Sequence, residues 1–251
     1  MIGAIYKYLA IPDSCRLGKR VFKSLFLQKA QLGAGDKKVF EQDVDSILWQ
    51  YTLKPSTIPV AAYRDDQREY IEIAVLQASL RQPTRHARVA ETIQRAIPYP
   101  LLLVLACDSR TALSLAAKRF NQADRGQIVV EEYFATAWLS PDTATGAQAD
   151  FLADLNISRL PQTNFFALYN AWIARLVALQ CAHFTGEYQL APADADWQSR
   201  RSLLAECQRI EENIAELRRA LQAETQFNRQ VEWNMRIKAA EKELAAAVEN
   251  L

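Results

Sequence analysis

A chain of 251 residues with half of them apolar has room for one large domain, or a medium domain with an appendage, and can bury a real core. Lys and Arg total 30 against 29 Asp and Glu, which argues against a bulk polyanion binder and leaves only a local basic face open. Apolar runs such as Leu101 to Cys107 are far too short for a membrane span, and no signal peptide is read at the start. Cys15, Cys107, Cys181 and Cys207 form no CxxC pair, so a cytoplasmic protein without a zinc site or disulfide framework is expected.

In chain order, Val21, Phe22, Leu25, Phe26 and Ala30 predict a helix over 18–30. Asp36 is placed to cap a short helix with Val39, Phe40 and Val44 inward. From Ile47 the pattern becomes a strand, with Trp49 and Tyr51 on one face and Leu48 on the other, and 54–57 reads as a turn. Alternation over 68–80 predicts one strand, and Val89, Ala90, Ile93 and Ile97 predict a helix over 85–97. The stretch "AIPYPLLLVL" then stops that helix at Pro98 and enters a fully apolar strand from Pro100. Such a strand has both faces covered.

Residues 101–120 read as a hairpin about Asp108-Ser109-Arg110, "NQADRG" as a turn, and 127–138 as a further strand. A mixed sheet of about four to six strands follows. Residues 140–162 look like a linker or irregular connection, and 164–184 like a helix apolar on most sides. In the tail, Leu203, Cys207, Ile210, Ile214, Leu217 and Leu221 follow coiled-coil spacing. A second seam, in another phase, runs through Trp233, Ile237, Ala240, Leu244, Ala247 and Leu251. Between them, "QAETQFNRQ" fits either a hairpin bend or a disruption in one long helix. The absence of Gly and Pro there favours the long helix, pairing with another chain.

The segments "IPDSCRLGKRVFKSLF", "DVDSILWQYTLKPSTI", "YIEIAVLQASL", "AIPYPLLLVL", "AAKRFNQADRGQIVVEEYFATAW" and "ETQFNRQVEWNMRIKAAEKEL" together resemble an uncharacterised bacterial family, domain of unknown function 4391. The resemblance covers nearly the whole chain, and its middle block is the most specific part. It implies no established activity. It does imply a setting beside helicases and DNA methyltransferases in restriction-like or phage-defence gene clusters.

A nuclease of the PD-(D/E)XK type needs an acid on one strand and acid-x-Lys on the next to hold a metal and steady the attacking water. The strand after Glu72 offers Gln77 and Ser79 instead, and Glu131-Glu132 is followed by Tyr133 and Phe134. His86 sits among arginines. His183 and Cys181 are two apart on a helix and do not face each other. No GxGxxG or GxxxxGK[ST] is present, so no metal and no cofactor is expected.

The binding signal is basic. Arg16, Lys19 and Arg20 at an expected helix start, Arg81, Arg85 and Arg88, and Lys118 and Arg119 would contact phosphates if they converge; solvated surface charge is the alternative. The reading is an α+β protein: a sheet domain over 1–162, a packed helix and connection over 163–192, and a coiled-coil-like helical tail over 193–251. The function expected is a non-catalytic accessory subunit of a DNA-processing or phage-defence system, recognising nucleic acid or a partner protein. A nuclease-like enzyme and a structural oligomer are the alternatives. Helicase or methyltransferase subunits, nucleic acid, or a second copy are the expected partners. The tail would assemble through Leu203, Ile210, Ile214, Leu217, Leu221, Ile237 and Leu244.

Overall fold

A computed structural model describes residues 3–29, 33–124, 127–191 and 197–251. The predicted apolar position Ala30, the last two residues of the turn 121–126, and the predicted boundary at 192/193 lie outside the described residues. In chain order the elements are α1 (Ala4–Leu9), β1 (Arg16–Val21), α2 (Lys23–Lys29), α3 (Ala34–Asp43), β2 (Val44–Leu53), β3 (Tyr63–Arg64) and β4 (Glu69–Tyr70). They continue with β5 (Ile73–Leu80), α4 (His86–Ala96), β6 (Leu101–Cys107), β7 (Arg110–Phe120), β8 (Ile128–Ala135), α5 (Ala147–Asp154), α6 (Phe165–Thr185), α7 (Trp197–Ala223) and α8 (Phe227–Val248). The fold is α+β.

The chain divides into two compact units, Met1–Leu176 and Val177–Leu251, and the division falls within α6. The first unit is built on a six-stranded mixed sheet in the order β1-β2-β5-β6-β7-β8. Only β5 and β6 pair in parallel. A parallel pair needs a crossover, and α4 supplies it. On one face Ala74, Leu76, Ala78 and Leu80 of β5 join Leu101, Leu103 and Leu105 of β6 in a core shared with Val89, Ala90 and Ile93 of α4. All seven residues of β6 are buried, as its unbroken apolar run predicts.

The two prolines before β6 have a clear consequence. They end α4 and leave the carbonyls of Ile97, Tyr99 and Leu101 short of regular partners, since β6 pairs with β7 only from Leu103 onward. Side chains fill the gap. Lys118 donates to Ile97 and Tyr99 at 2.7 and 2.9 Å, Gln94 to Leu101 at 3.1 Å, and the Tyr169 hydroxyl to Leu101 at 2.9 Å. The Tyr169 oxygen also accepts from the Ala116 amide at 3.0 Å.

Four expectations are corrected. Residues 18–21 belong to a strand, so Arg16, Lys19 and Arg20 do not open a helix; the helix begins at Lys23. Gly18, at φ +63°, absorbs a register shift between Arg16 and Lys19. The predicted strand 68–80 is two strands, because β4 leaves the main sheet to pair with β3. Trp49 and Tyr51 lie on opposite faces: a second register shift places Trp49 across from Leu76 and Tyr51 across from Val75. The span 140–162 contains α5, which buries Phe151 and Leu152.

The second unit corrects the tail as well. It is a hairpin of α7 and α8, not one long helix. Ile210, Ile214 and Ala240 form its buried centre, flanked by Leu217, Leu244 and Ala247. Ile237 is also buried, whereas Leu203 and Leu221 are half-buried. Arg218 meets Glu241 at 2.7 Å across the pair. The bend manages without Gly or Pro because Glu224 Oε1 accepts from the amides of Thr225 and Gln226, both at 2.9 Å. The Gln230 side chain donates to the Glu224 carbonyl at 2.7 Å. By length and composition α6 is apolar enough to cross a membrane, and 61% of its most apolar window is buried.

Candidate nucleic-acid interface

The eight predicted phosphate-binding cations meet different fates, and Arg81 is paired with Asp45 at 3.3 Å. Arg85 makes a forked contact with Asp43, Nε to Oδ2 at 2.7 Å and a terminal nitrogen to Oδ1 at 2.6 Å. Asp43 is fully buried, and Gln82 adds a third donor at 2.5 Å. Burial pushes the Asp43 carboxyl up, but the hydrogen bonds from Arg85 and Gln82 outweigh it and hold the group below the usual carboxylate range. Arg88 and Arg95 share Asp36 at 2.7 and 3.1 Å. Led by the Arg88 hydrogen bond, they hold its carboxyl low too.

Arg119 is paired with Glu131 at 3.0 Å, and Arg68 reaches the same carboxylate at 3.2 Å. Lys118 is 4% exposed, and its ammonium is spent on two backbone carbonyls. Burial pulls its pKa down to about 7. Surface charge at these positions is therefore largely neutralised in place.

Arg16, Lys19 and Arg20 are different. All three are exposed on β1, an edge strand of the main sheet, and none is in an ion pair among the described residues. Cross-strand partners share a face. Arg16 lies opposite Tyr51 and Arg20 opposite Leu48, while Lys19 lies opposite Trp49. Arg16 and Arg20 therefore project to one side and Lys19 to the other, beside the helix-covered core.

The Arg16 side of the sheet is polar where it nears α1. Gln77 Oε1 accepts from the Tyr6 hydroxyl at 3.0 Å and from Gln50 Nε2 at 3.1 Å, and the Tyr6 ring lies 5.7 Å from that of Tyr51. Burial pushes the Tyr6 phenol up, so it stays protonated as a donor. Gln77 occupies the position at which a metal-dependent nuclease would want an acid, and here it is a neutral acceptor joining α1 to two strands.

At the end of β1 a cavity of about 400 Å³ is lined by Ser14, Arg16, Thr52, Lys54, Thr57 and Glu72. Glu131 lines a different one, of about 380 Å³, with Gln67, Arg119 and Asn121. Glu72 and Glu131, two of the three carboxylates weighed for an enzymatic site with Glu132, thus line separate hollows. Among the described residues, no three His, Cys, Asp or Glu side chains are grouped to hold a metal. Ser14, Lys54 and Thr57 were not legible as site residues. They come from separate segments, and 54–57 carries only a turn signal.

A family model described as "Domain of unknown function (DUF4391)" matches residues 9–244. The chain belongs to this family. No curated protein and no solved structure matches the chain. Membership thus covers both units and assigns no reaction to either.

Proposed function

We propose that this protein is a non-catalytic recognition subunit of a DNA-processing or phage-defence assembly, contacting nucleic acid through β1. One observation carries the reading. Arg16, Lys19 and Arg20 stand together on an exposed edge strand without carboxylate partners among the described residues, whereas the other predicted cations are paired or buried. Phosphate contacts need such uncommitted cations. Helicase or methyltransferase subunits would be the catalytic partners, in keeping with the setting the family resemblance implies. The separation of Glu72 from Glu131, and a neutral Gln77 where a metal site needs charge, favour binding over nuclease chemistry.

The test is fluorescence anisotropy with labelled single-stranded and duplex oligonucleotides across a salt series. Three phosphate contacts predict that single-strand affinity falls on the order of 20-fold between 50 and 200 mM salt. The triple variant R16E/K19E/R20E should lose binding, while R119E should not. Absence of wild-type binding at low salt overturns the reading.

A further inference from the structure

The cavity at Arg16 contains a carboxylate, which a simple phosphate cradle would exclude. Glu72 and Arg16 both line it, and neither is in an ion pair among the described residues. Two of its hydroxyls, those of Ser14 and Thr57, are already committed as donors. Ser14 donates to the Thr57 carbonyl at 2.9 Å. Thr57 Oγ1 accepts from the Lys54 amide at 3.0 Å and directs its proton to the carbonyl of Thr52 or Lys54, at 3.2 or 3.0 Å. Toward a ligand, these hydroxyls offer lone pairs, and an ionised carboxylate also only accepts.

The cationic donors on the cavity wall are Arg16 and Lys54. A fitting ligand brings an anionic group to those two cations and its own O–H or N–H to Glu72 and the hydroxyl oxygens. At about 400 Å³ the space suits a small polar unit and not an extended duplex. The sugar-phosphate chain of DNA supplies the anion but no sugar donor along the strand. That of RNA supplies both, because its 2′-hydroxyl donates as well as accepts.

We propose that this cavity seats one ribose-phosphate unit of an RNA strand, with Arg16 and Lys54 on the phosphate and Glu72 accepting the 2′-hydroxyl hydrogen bond. The proposal rests on the nucleic-acid reading above and narrows it to RNA. It also explains why a carboxylate is tolerated beside a phosphate-binding edge: Glu72 repels a second phosphate and welcomes a sugar donor.

The full-length protein is titrated into single-stranded RNA, DNA and 2′-O-methyl RNA of one sequence, with anisotropy as the readout. RNA should bind about ten-fold more tightly than DNA, the scale of one hydrogen bond to a charged group. Methylation of the 2′-oxygen should abolish the preference in the unaltered protein, so the test does not depend on a variant folding. Glu72→Leu, with its melting curve checked, should reduce RNA binding to the DNA level without weakening DNA binding. Arg16→Glu and Lys54→Glu should weaken both. Equal affinity for RNA and DNA, or a preference that survives methylation, overturns the RNA assignment and leaves the nucleic-acid reading standing. Failure to bind any of the three overturns both.

Discussion

The ammonium of Lys118 sits 2.7 Å from the carbonyl oxygen of Ile97, at the point where Pro98 ends α4. A cation is well placed against the negative end of a helix. Here it also serves carbonyls that the proline-broken path leaves without amide partners. The cost is desolvation, which pulls the Lys118 pKa from 10.5 down to about 7. Between those values the unfolded chain binds more protons than the folded one, so stability attributable to this residue rises as pH increases from about 7 to 10.5. It is lost as pH falls through 7. Lys118→Met removes the titration together with the hydrogen bonds. Urea unfolding at pH 6.5 and 9.5 should show the wild type gaining a few kcal/mol relative to the variant at the higher pH. A stability difference that is the same at both pH values would show that Lys118 is not charged against burial.

The Asp43–Arg85 pair fastens the end of α3 to the start of α4. Arg85→Ala leaves a fully buried carboxylate with Gln82 as its remaining side-chain donor. Breaking a buried pair costs about 3–5 kcal/mol; the low end, about 3 kcal/mol, is expected because Arg85 is itself 37% exposed. The pH dependence should invert. In the wild type the depressed Asp43 pKa gives stability above the usual carboxylate range that is lost as pH falls through the folded value. Without Arg85, burial raises that pKa, so the defect should shrink on acidification. Chemical denaturation at pH 7 and 4.5 checks this, and a defect of equal size at both would refute it.

The strongest local patterns carried the fold. The alternation in β7, the apolar run of β6 and the amphipathic stripe of α4 each need only their own residues to be read. The β1–α2 junction failed because Val21, Phe22, Leu25 and Phe26 imitate a helical face while straddling a strand end and a helix start. The bend between α7 and α8 was missed because a Glu side chain does the work expected of Gly or Pro. Charge was the least legible feature. Arg85 and Arg88 read as free cations, but their acceptors Asp43 and Asp36 lie 42 and 52 residues earlier in the chain, and no local pattern reveals them. The cleft at Arg16 draws on three separate segments and is equally invisible in linear order.

Gly18 ties the geometry of β1 to its proposed role. Its φ of +63° lies in the left-handed region, and a Cβ there would meet no neighbouring atom within 4 Å. Gly18→Val is therefore penalised by backbone conformation and not by a clash, at about 1–2 kcal/mol. For a chain of this size that lowers Tm by roughly 2–8 °C. The register shift at Gly18 lets β1 advance three residues, from Arg16 to Lys19, while β2 advances two, from Tyr51 to Trp49. A valine that removes this register shift would slide Arg16 along β2 from its place opposite Tyr51 and pull it from the cavity it shares with Lys54 and Glu72. Melting and RNA anisotropy on one preparation separate the two effects. Binding should weaken at temperatures well below the variant's Tm, where the protein is fully folded. Unchanged affinity there, alongside a lowered Tm, would mean that the bulge serves stability alone.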